Sequence, residues 1–199
     1  MAAKQDHWDS AAYQNSASFV PKLATKVLQW LDVQEGDVIL DVGCGDGVLN
    51  LQIAQTLSKG TGMIHGVDSS ESMIATAKKS ASANPSIANS CTFQVIDATQ
   101  LLTHPALQTS SFDKVFSNAA MHWILRPSSQ REAFFQGIRN ALKPGGTFVF
   151  EMGGMGNVAE MRAALLSVVS RRVGIERARE VDPWFFPDEV WMRGMLEET

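Results

Sequence analysis

Cysteine is scarce: Cys44 and Cys91 are the only two in 199 residues, and their spacing matches neither a zinc site nor a disulfide framework. No apolar run approaches the roughly 20 residues of a membrane-spanning helix, so no membrane partner is expected. The segment Met1-Ala2-Ala3-Lys4-Gln5-Asp6-His7 lacks an apolar h-region, and the expectation is an intracellular, cytoplasmic protein. Basic runs are no longer than Arg171-Arg172 and the net charge is −4. A nucleic-acid groove needs a concentrated positive footprint, so no nucleic-acid partner is expected either. Ser10, Ser117 and His122 form no nucleophile motif, and neither metal-ligand spacing nor paired catalytic carboxylates are visible. Internal repeats are absent as well.

What is present is a chain of ordinary single-domain size, 45% hydrophobic and 19% charged. Its most informative stretch is Val38-Ile39-Leu40-Asp41-Val42-Gly43-Cys44-Gly45-Asp46-Gly47, a buried strand running into a glycine-rich turn. A helix then begins near Val48. Such a turn at the carboxyl end of a strand is where open α/β sheets bind nucleotides. A dinucleotide fingerprint requires a third glycine at the position held by Val48, whereas Gly47 comes one residue early. Asp41 and Asp46 place carboxylates beside the turn, which repel a pyrophosphate and attract a cationic, phosphate-free nucleoside. Cys44 invites a nucleophile reading, but a small residue tolerated in a tight turn is the simpler one.

Strands and helices alternate after this turn. Val48 to Leu57 carries a helical apolar stripe, Met63 to Val67 reads as a strand ending at Asp68, and Ser69-Ser70-Glu71-Ser72 opens a helix through Met73, Ile74 and Ala77 to Ser80. Cys91 to Ile96 is a third strand ending at Asp97, and Phe112 to Ser117 a fourth ending at Asn118. A helix from Arg131 to Leu142 is stopped by Lys143-Pro144-Gly145-Gly146, and Thr147 to Phe150 is a fifth strand ending at Glu151. The expected fold is α/β, a doubly wound, mostly parallel sheet with helices on both faces. Right-handed crossovers put Asp41, Asp68, Asp97, Asn118 and Glu151 along one edge, a polar rim. Asp68, 27 positions after Asp41, is placed to accept hydrogen bonds from both ribose hydroxyls of a nucleoside.

The pattern D-x-G-x-G-x-G at Asp41 to Gly47 resembles motif I of the class I S-adenosylmethionine-dependent methyltransferases. Asp97-Ala98, the run Ser117-Asn118-Ala119-Ala120-Met121-His122-Trp123, and Leu142-Lys143-Pro144-Gly145-Gly146 resemble its small-molecule branch. The nearest likeness is the trans-aconitate methyltransferase-like group, over roughly Trp8 to Leu196. The resemblance implies a Rossmann-like methyltransferase fold and S-adenosyl-L-methionine as cofactor. It further implies that the loop with Gly43, Cys44 and Gly45 cradles the methionine part. By the same likeness Met73 packs on an adenine face, although it would serve equally in the core. Asp97 accepts from the exocyclic amine while Ala98 offers its backbone N–H, unless Asp97 is only a turn residue. Asn118 touches the amino-acid end through its backbone. The cofactor-binding set is thus Asp41, Gly43, Cys44, Gly45, Asp68, Ser69, Met73, Asp97, Ala98 and Asn118.

On the acceptor side stand His122, Trp123 and Tyr13. His122 has the chemistry of a general base, yet a carboxylate acceptor has no proton to lose, and a hydrogen-bonded structural histidine is the alternative. Tyr13 belongs to an N-terminal segment that, by likeness, closes over the cofactor as a lid or else covers an edge of the sheet. Three regions are expected in one domain: a helical cap over 1–35, a cofactor-binding core over 36–152, and a helical segment over 153–199. In the last, Val158 to Val181 reads as helical with Met161, Leu165, Val168 and Val169 on one stripe. Pro183-Trp184-Phe185-Phe186-Pro187 follows as an aromatic turn, then a helix from Asp188 to Glu198.

The resemblance also implies two further strands beside the fifth, which this sequence does not supply. Truncation is the favoured account; a homodimer through the exposed sheet edge and a fold with weakened catalysis are the others. The functional expectation is methyl transfer to a small-molecule acceptor, most plausibly O-methylation of an organic acid. A catalytically silent S-adenosylmethionine-binding protein is the alternative, and a nicotinamide-dependent oxidoreductase stands third.

Overall fold

The computed structural model describes residues 24–198. Five strands, β1 (Val38–Val42), β2 (Met63–Asp68), β3 (Cys91–Val95), β4 (Phe112–Asn118) and β5 (Leu142–Glu151), form one sheet in the order β3-β2-β1-β4-β5. Every pairing is parallel. The order reverses direction between β1 and β4, so the turn after β1 sits at the topological switch point, where α/β sheets leave a crevice.

Parallel strands covered on both faces read as near-continuous apolar runs, and β1 (VILDV) is buried from its second residue onward. Successive side chains point to opposite faces. Ile39, Ile64 and Phe116 accordingly join one core cluster, with Ile53 and Leu57 of α2 (Val48–Leu57) and Ile74 of α3 (Glu71–Ser82). Their neighbours Leu40, Val115 and Val67 join the other, with Phe134 and Ile138 of α5 (Arg131–Ala141). Two further helices complete these layers: α1 (Thr25–Leu31), which buries Val27 and Leu31, and the single turn α4 (Met121–Ile124). The expected α/β sheet with helices on both faces is what forms.

Local chemistry explains the helix starts. Ser70 caps α3 by accepting from the Met73 N–H, with Glu71 in the first turn and Lys79 in the last, both favourable to the helix dipole. Gly47 (φ +79°) starts α2 from the left-handed region. One expectation fails at the other end of the chain. Lys143-Pro144-Gly145-Gly146 stops α5, but it lies inside β5 rather than before it. Gly145 at φ +80° absorbs a register shift opposite Phe112 to Lys114, and β5 is an edge strand, where proline is tolerated.

Beyond β5 the chain forms α6 (Ala159–Val173), α7 (Ile175–Glu180) and α8 (Glu189–Glu198). The expected continuous helix from Val158 to Val181 is broken at Gly174, which adopts φ +82° and ψ 157°. Its apolar stripe does not become core: Leu165 is 50% and Val168 62% exposed. Periodicity identifies an amphipathic helix without saying what its apolar side meets. α8 fares differently, because Trp191, Met192 and Met195 pack on the second core cluster.

Candidate functional site

The three glycines of the loop have three separate jobs. A Cβ on Gly43 (φ +79°) would stand 2.3 Å from the Ala120 Cβ, so this glycine lets the loop close on the segment after β4. On Gly47 it would strike Ala77 and Phe93, so this glycine lets α2 pack on α3 and β3. A Cβ on Gly45 (φ +56°) would meet nothing within 4 Å among the described residues. Gly45 is bare backbone facing open space, a cradle of the kind a ligand fills.

Asp68, at the end of β2, organises that cradle. Its Oδ2 accepts from the Gly45 N–H at 3.0 Å and its Oδ1 from the Ser70 N–H at 2.9 Å. A carboxylate oxygen can take more than one hydrogen bond, the chemistry that a vicinal diol requires. The N–H groups of Gly43 and Cys44 donate to the Val67 carbonyl at 2.8 and 3.1 Å, pinning the loop to the end of β2.

Asp41 is not the loop charge that its sequence position suggests. It is 2% exposed, and its carboxyl is pushed up to about 8, first by burial and then by repulsion from Asp68. It is therefore mostly neutral at pH 7, which leaves the attraction for a cation to other carboxylates. Asn50 of α2 lies against it and opposes part of the rise, although neither amide atom reaches a hydrogen-bond partner of good geometry. Asn50 escaped the sequence reading, yet a polar residue between Leu49 and Ile53 on an apolar face was its signal.

A raised carboxyl carries a stability signature. The folded state holds the proton up to about pH 8 while the unfolded chain releases it near 3.8. Folding is thus favoured fully below that lower value and progressively less as pH rises to about 8, by at most about 1.4 kcal/mol per pH unit. Thermal melts of Asp41→Asn are expected to be flatter than wild type between about pH 5 and 8. Equal slopes would show that Asp41 ionises normally.

The remaining residues of the rim fall into place unevenly. Asp97 caps the 3-10 turn Ala98–Thr103, its Oδ1 accepting from the Thr99 N–H at 3.1 Å and Oγ1 at 2.7 Å. Ala98 opens that turn, where the first N–H groups lack helical partners. Met73 is only 3% exposed, which favours packing, while Ser69 is exposed. Asn118 ends β4 opposite Glu151, and the next residue, Ala119, sits at φ +53° with its N–H donated to the Glu151 carbonyl. Ser117, fully buried, ties β4 to β1 by donating to the Val42 carbonyl at 2.7 Å. Tyr13 lies outside the described residues.

Partial burial shifts both reactive candidates. The Cys44 thiol is raised well above its ordinary value, first by burial and then by Asp41 and Asp68, which disfavours the thiolate a nucleophile needs. His122 is lowered to about 4 by burial, and its Nδ1 accepts from the Gly153 N–H at 3.4 Å. A neutral, weakly basic imidazole is left among aromatic rings. Trp123 stands 5.4 Å and Phe186 5.6 Å from it, and Trp184 is 5.6 Å from Trp123. The aromatic turn at 183–187 thus meets the segment after β4, joined by a bond from the Phe185 N–H to the His122 carbonyl.

A switch-point glycine loop, an acidic residue closing the second strand and a polar rim define a Rossmann-like nucleoside-binding domain. The profile of the methyltransferase domain family matches residues 33–171, and the chain belongs to that family. An uncharacterized methyltransferase of Schizosaccharomyces pombe is 34% identical over 98% of this chain and 70% of its own length. A malonyl-[acyl-carrier protein] O-methyltransferase of Marinomonas is 29% identical over 81% of the chain and 55% of its own length. A trans-aconitate 2-methyltransferase of Delftia acidovorans is 26% identical over 73% and 48%. Among solved structures, an S-adenosylmethionine-dependent methyltransferase of Mesorhizobium loti superposes with a TM-score of 0.54 at 28% identity, covering 70% of this chain and 55% of that one. The chain therefore spans 70% of the first relative and about half of the other two. S-adenosylmethionine is the cofactor of this family, and the open face of Gly45 beside Asp68 fits it. No helix among the described residues is long and apolar enough to cross a membrane.

Proposed function

We propose that the chain transfers a methyl group from S-adenosylmethionine to a small-molecule acid, forming an O-methyl ester. The observation that carries the cofactor half is the cradle at Gly45, clear of the described residues and bonded to Asp68. Asp68 would hold the ribose diol; Gly43, Cys44 and Gly45, with Asp41 behind them, would line the methionine part, together with the Asn118 backbone. Asp97, Ala98 and Ser69 would border the adenine, with the buried Met73 beneath. When bound, the sulfonium supplies a methyl group to a nucleophile aligned in line with it and leaves as a neutral thioether. The protein's own task is orientation and exclusion of water, which can contribute roughly 7–11 kcal/mol in favourable cases.

An acid acceptor fits the state of His122, because a carboxylate needs no base and a histidine lowered to about 4 is a poor one. His122 and Trp123 then act as walls of the acceptor mouth. Relatives do not set the acceptor, since their names run from demethylmenaquinone to a guanine of 18S rRNA. The open outer edge of β5 is where a second copy would pair.

Calorimetric titration with S-adenosylhomocysteine tests the cofactor half; absence of binding to folded protein overturns it. Labelled methyl transfer across a panel of organic acids tests the rest, and binding without turnover on any acceptor would select the silent binding protein. With an active acid in hand, His122→Phe should retain kcat within about tenfold, whereas loss of 10²–10⁴-fold would restore a general base.

A further inference from the structure

A groove of about 910 Å³ opens beside the aromatic mouth, between the α4–α5 connection, α6, α7 and the aromatic turn. Four arginines line it: Arg126, Arg131, Arg162 and Arg179. Two carboxylates share the lining, and each is already ion-paired, Asp182 with one of these four arginines. Asp182 accepts from the Arg162 Nε at 2.6 Å, and Glu180 pairs with Arg177 at 2.8 Å.

Arg126 and Arg131 are held differently. The Arg126 Nη2 donates to the Glu180 carbonyl at 2.6 Å. The Arg131 Nε donates to the Leu125 carbonyl at 2.7 Å, and its Nη2 reaches the Arg126 carbonyl at 3.3 Å. Its guanidinium also lies over the Phe185 ring, 3.4 Å from the centroid. Carbonyl oxygens and a ring face orient a guanidinium without neutralising it. Among the described residues neither arginine has a carboxylate partner, so two fixed positive charges face a concave space. Arginine held this way presents its unused N–H groups as a fork that matches a carboxylate or a phosphate.

The size and place of the groove narrow the ligand. A concavity of this volume takes a small molecule rather than a polymer. It adjoins the acceptor mouth, because Trp184 lines it and also stands 5.6 Å from Trp123. We propose that Arg126 and Arg131, flanked by the ion-paired Arg162 and Arg179, form an anion-anchoring subsite for the acceptor, gripping a carboxylate or phosphate group remote from the atom that is methylated. This rests on the acceptor reading above and adds to it: the substrate carries a second anionic group, and an acid with one carboxylate only is a poor substrate.

Two anions probe the site at constant ionic strength in the presence of S-adenosylhomocysteine: citrate for carboxylates and inorganic pyrophosphate for phosphates. At least one is expected to bind wild type, and the tighter one names the anchored group. The pair Arg126→Gln and Arg179→Gln should weaken that anion by about tenfold or more while leaving S-adenosylhomocysteine affinity unchanged. If the double variant does not fold, Arg126→Gln alone carries the measurement, since among the described residues Arg126 has no carboxylate partner and its bond to the Glu180 carbonyl is exposed. Failure of both anions to bind, or equal binding to the variant, overturns the subsite. Arginine-dependent anion binding without S-adenosylhomocysteine binding would leave the subsite standing and sink the cofactor assignment instead.

Discussion

Gly45→Val should lose S-adenosylhomocysteine binding by at least about a hundredfold, equivalent to about 2.7 kcal/mol, in a protein that still folds. The position combines strain with no clash among the described residues. Its φ of +56° is costly for a β-branched residue, by about 1–2 kcal/mol. Nothing within 4 Å obstructs the new Cβ, so neighbouring elements need not move. A fall in Tm of roughly 2–8 °C follows from that strain for a domain of this size. The isopropyl group instead occupies the space into which only bare backbone now faces. Gly43 shows the contrast, because a side chain there collides with Ala120 and damages the fold itself. Wild-type affinity in a folded Gly45→Val protein would mean that the cofactor lies elsewhere.

Asp68→Ala should be nearly as damaging, for a different reason. The carboxylate accepts from two backbone N–H groups, Gly45 and Ser70, that hold the loop and the start of α3 in mutual register. Hydrogen bonds to a charged group contribute about 1.5–3 kcal/mol each, less where water can replace them. A loss of about 1–3 kcal/mol in stability is expected, with cofactor affinity down by about a hundredfold as the ribose partner disappears. A second readout separates this from general loosening. Repulsion from Asp68 is one cause of the high Asp41 value, so Asp41 should titrate lower in the variant. Unchanged affinity would remove Asp68 from the site, and an unmoved Asp41 would show that the two carboxyls do not interact.

Most of the sheet was legible because its signals are local. Glycine spacing, a capping serine at Ser70, and apolar runs of four to six residues depend on near neighbours only. The strand that was misjudged, β5, began five residues before its expected start because an edge position tolerates Pro144 and a bulge at Gly145. The helical stripe of Met161, Leu165 and Val168 was read correctly as periodicity, yet its exposure depends on what lies opposite.

The sequence by itself determined the order of elements, the parallel sheet, the placement of the glycine loop at the switch point and the presence of Asp68 beside it. Only the tertiary structure decided the chemical state of the side chains. Asp41 and Cys44 are shifted toward their neutral forms and His122 toward weak basicity because folding desolvates each. The four arginines are the clearest case, contributed by positions from 126 to 179 that no spacing rule connects. Local propensity acts over a few residues, whereas burial and electrostatic fields act through space, and the chain must fold before those distances exist.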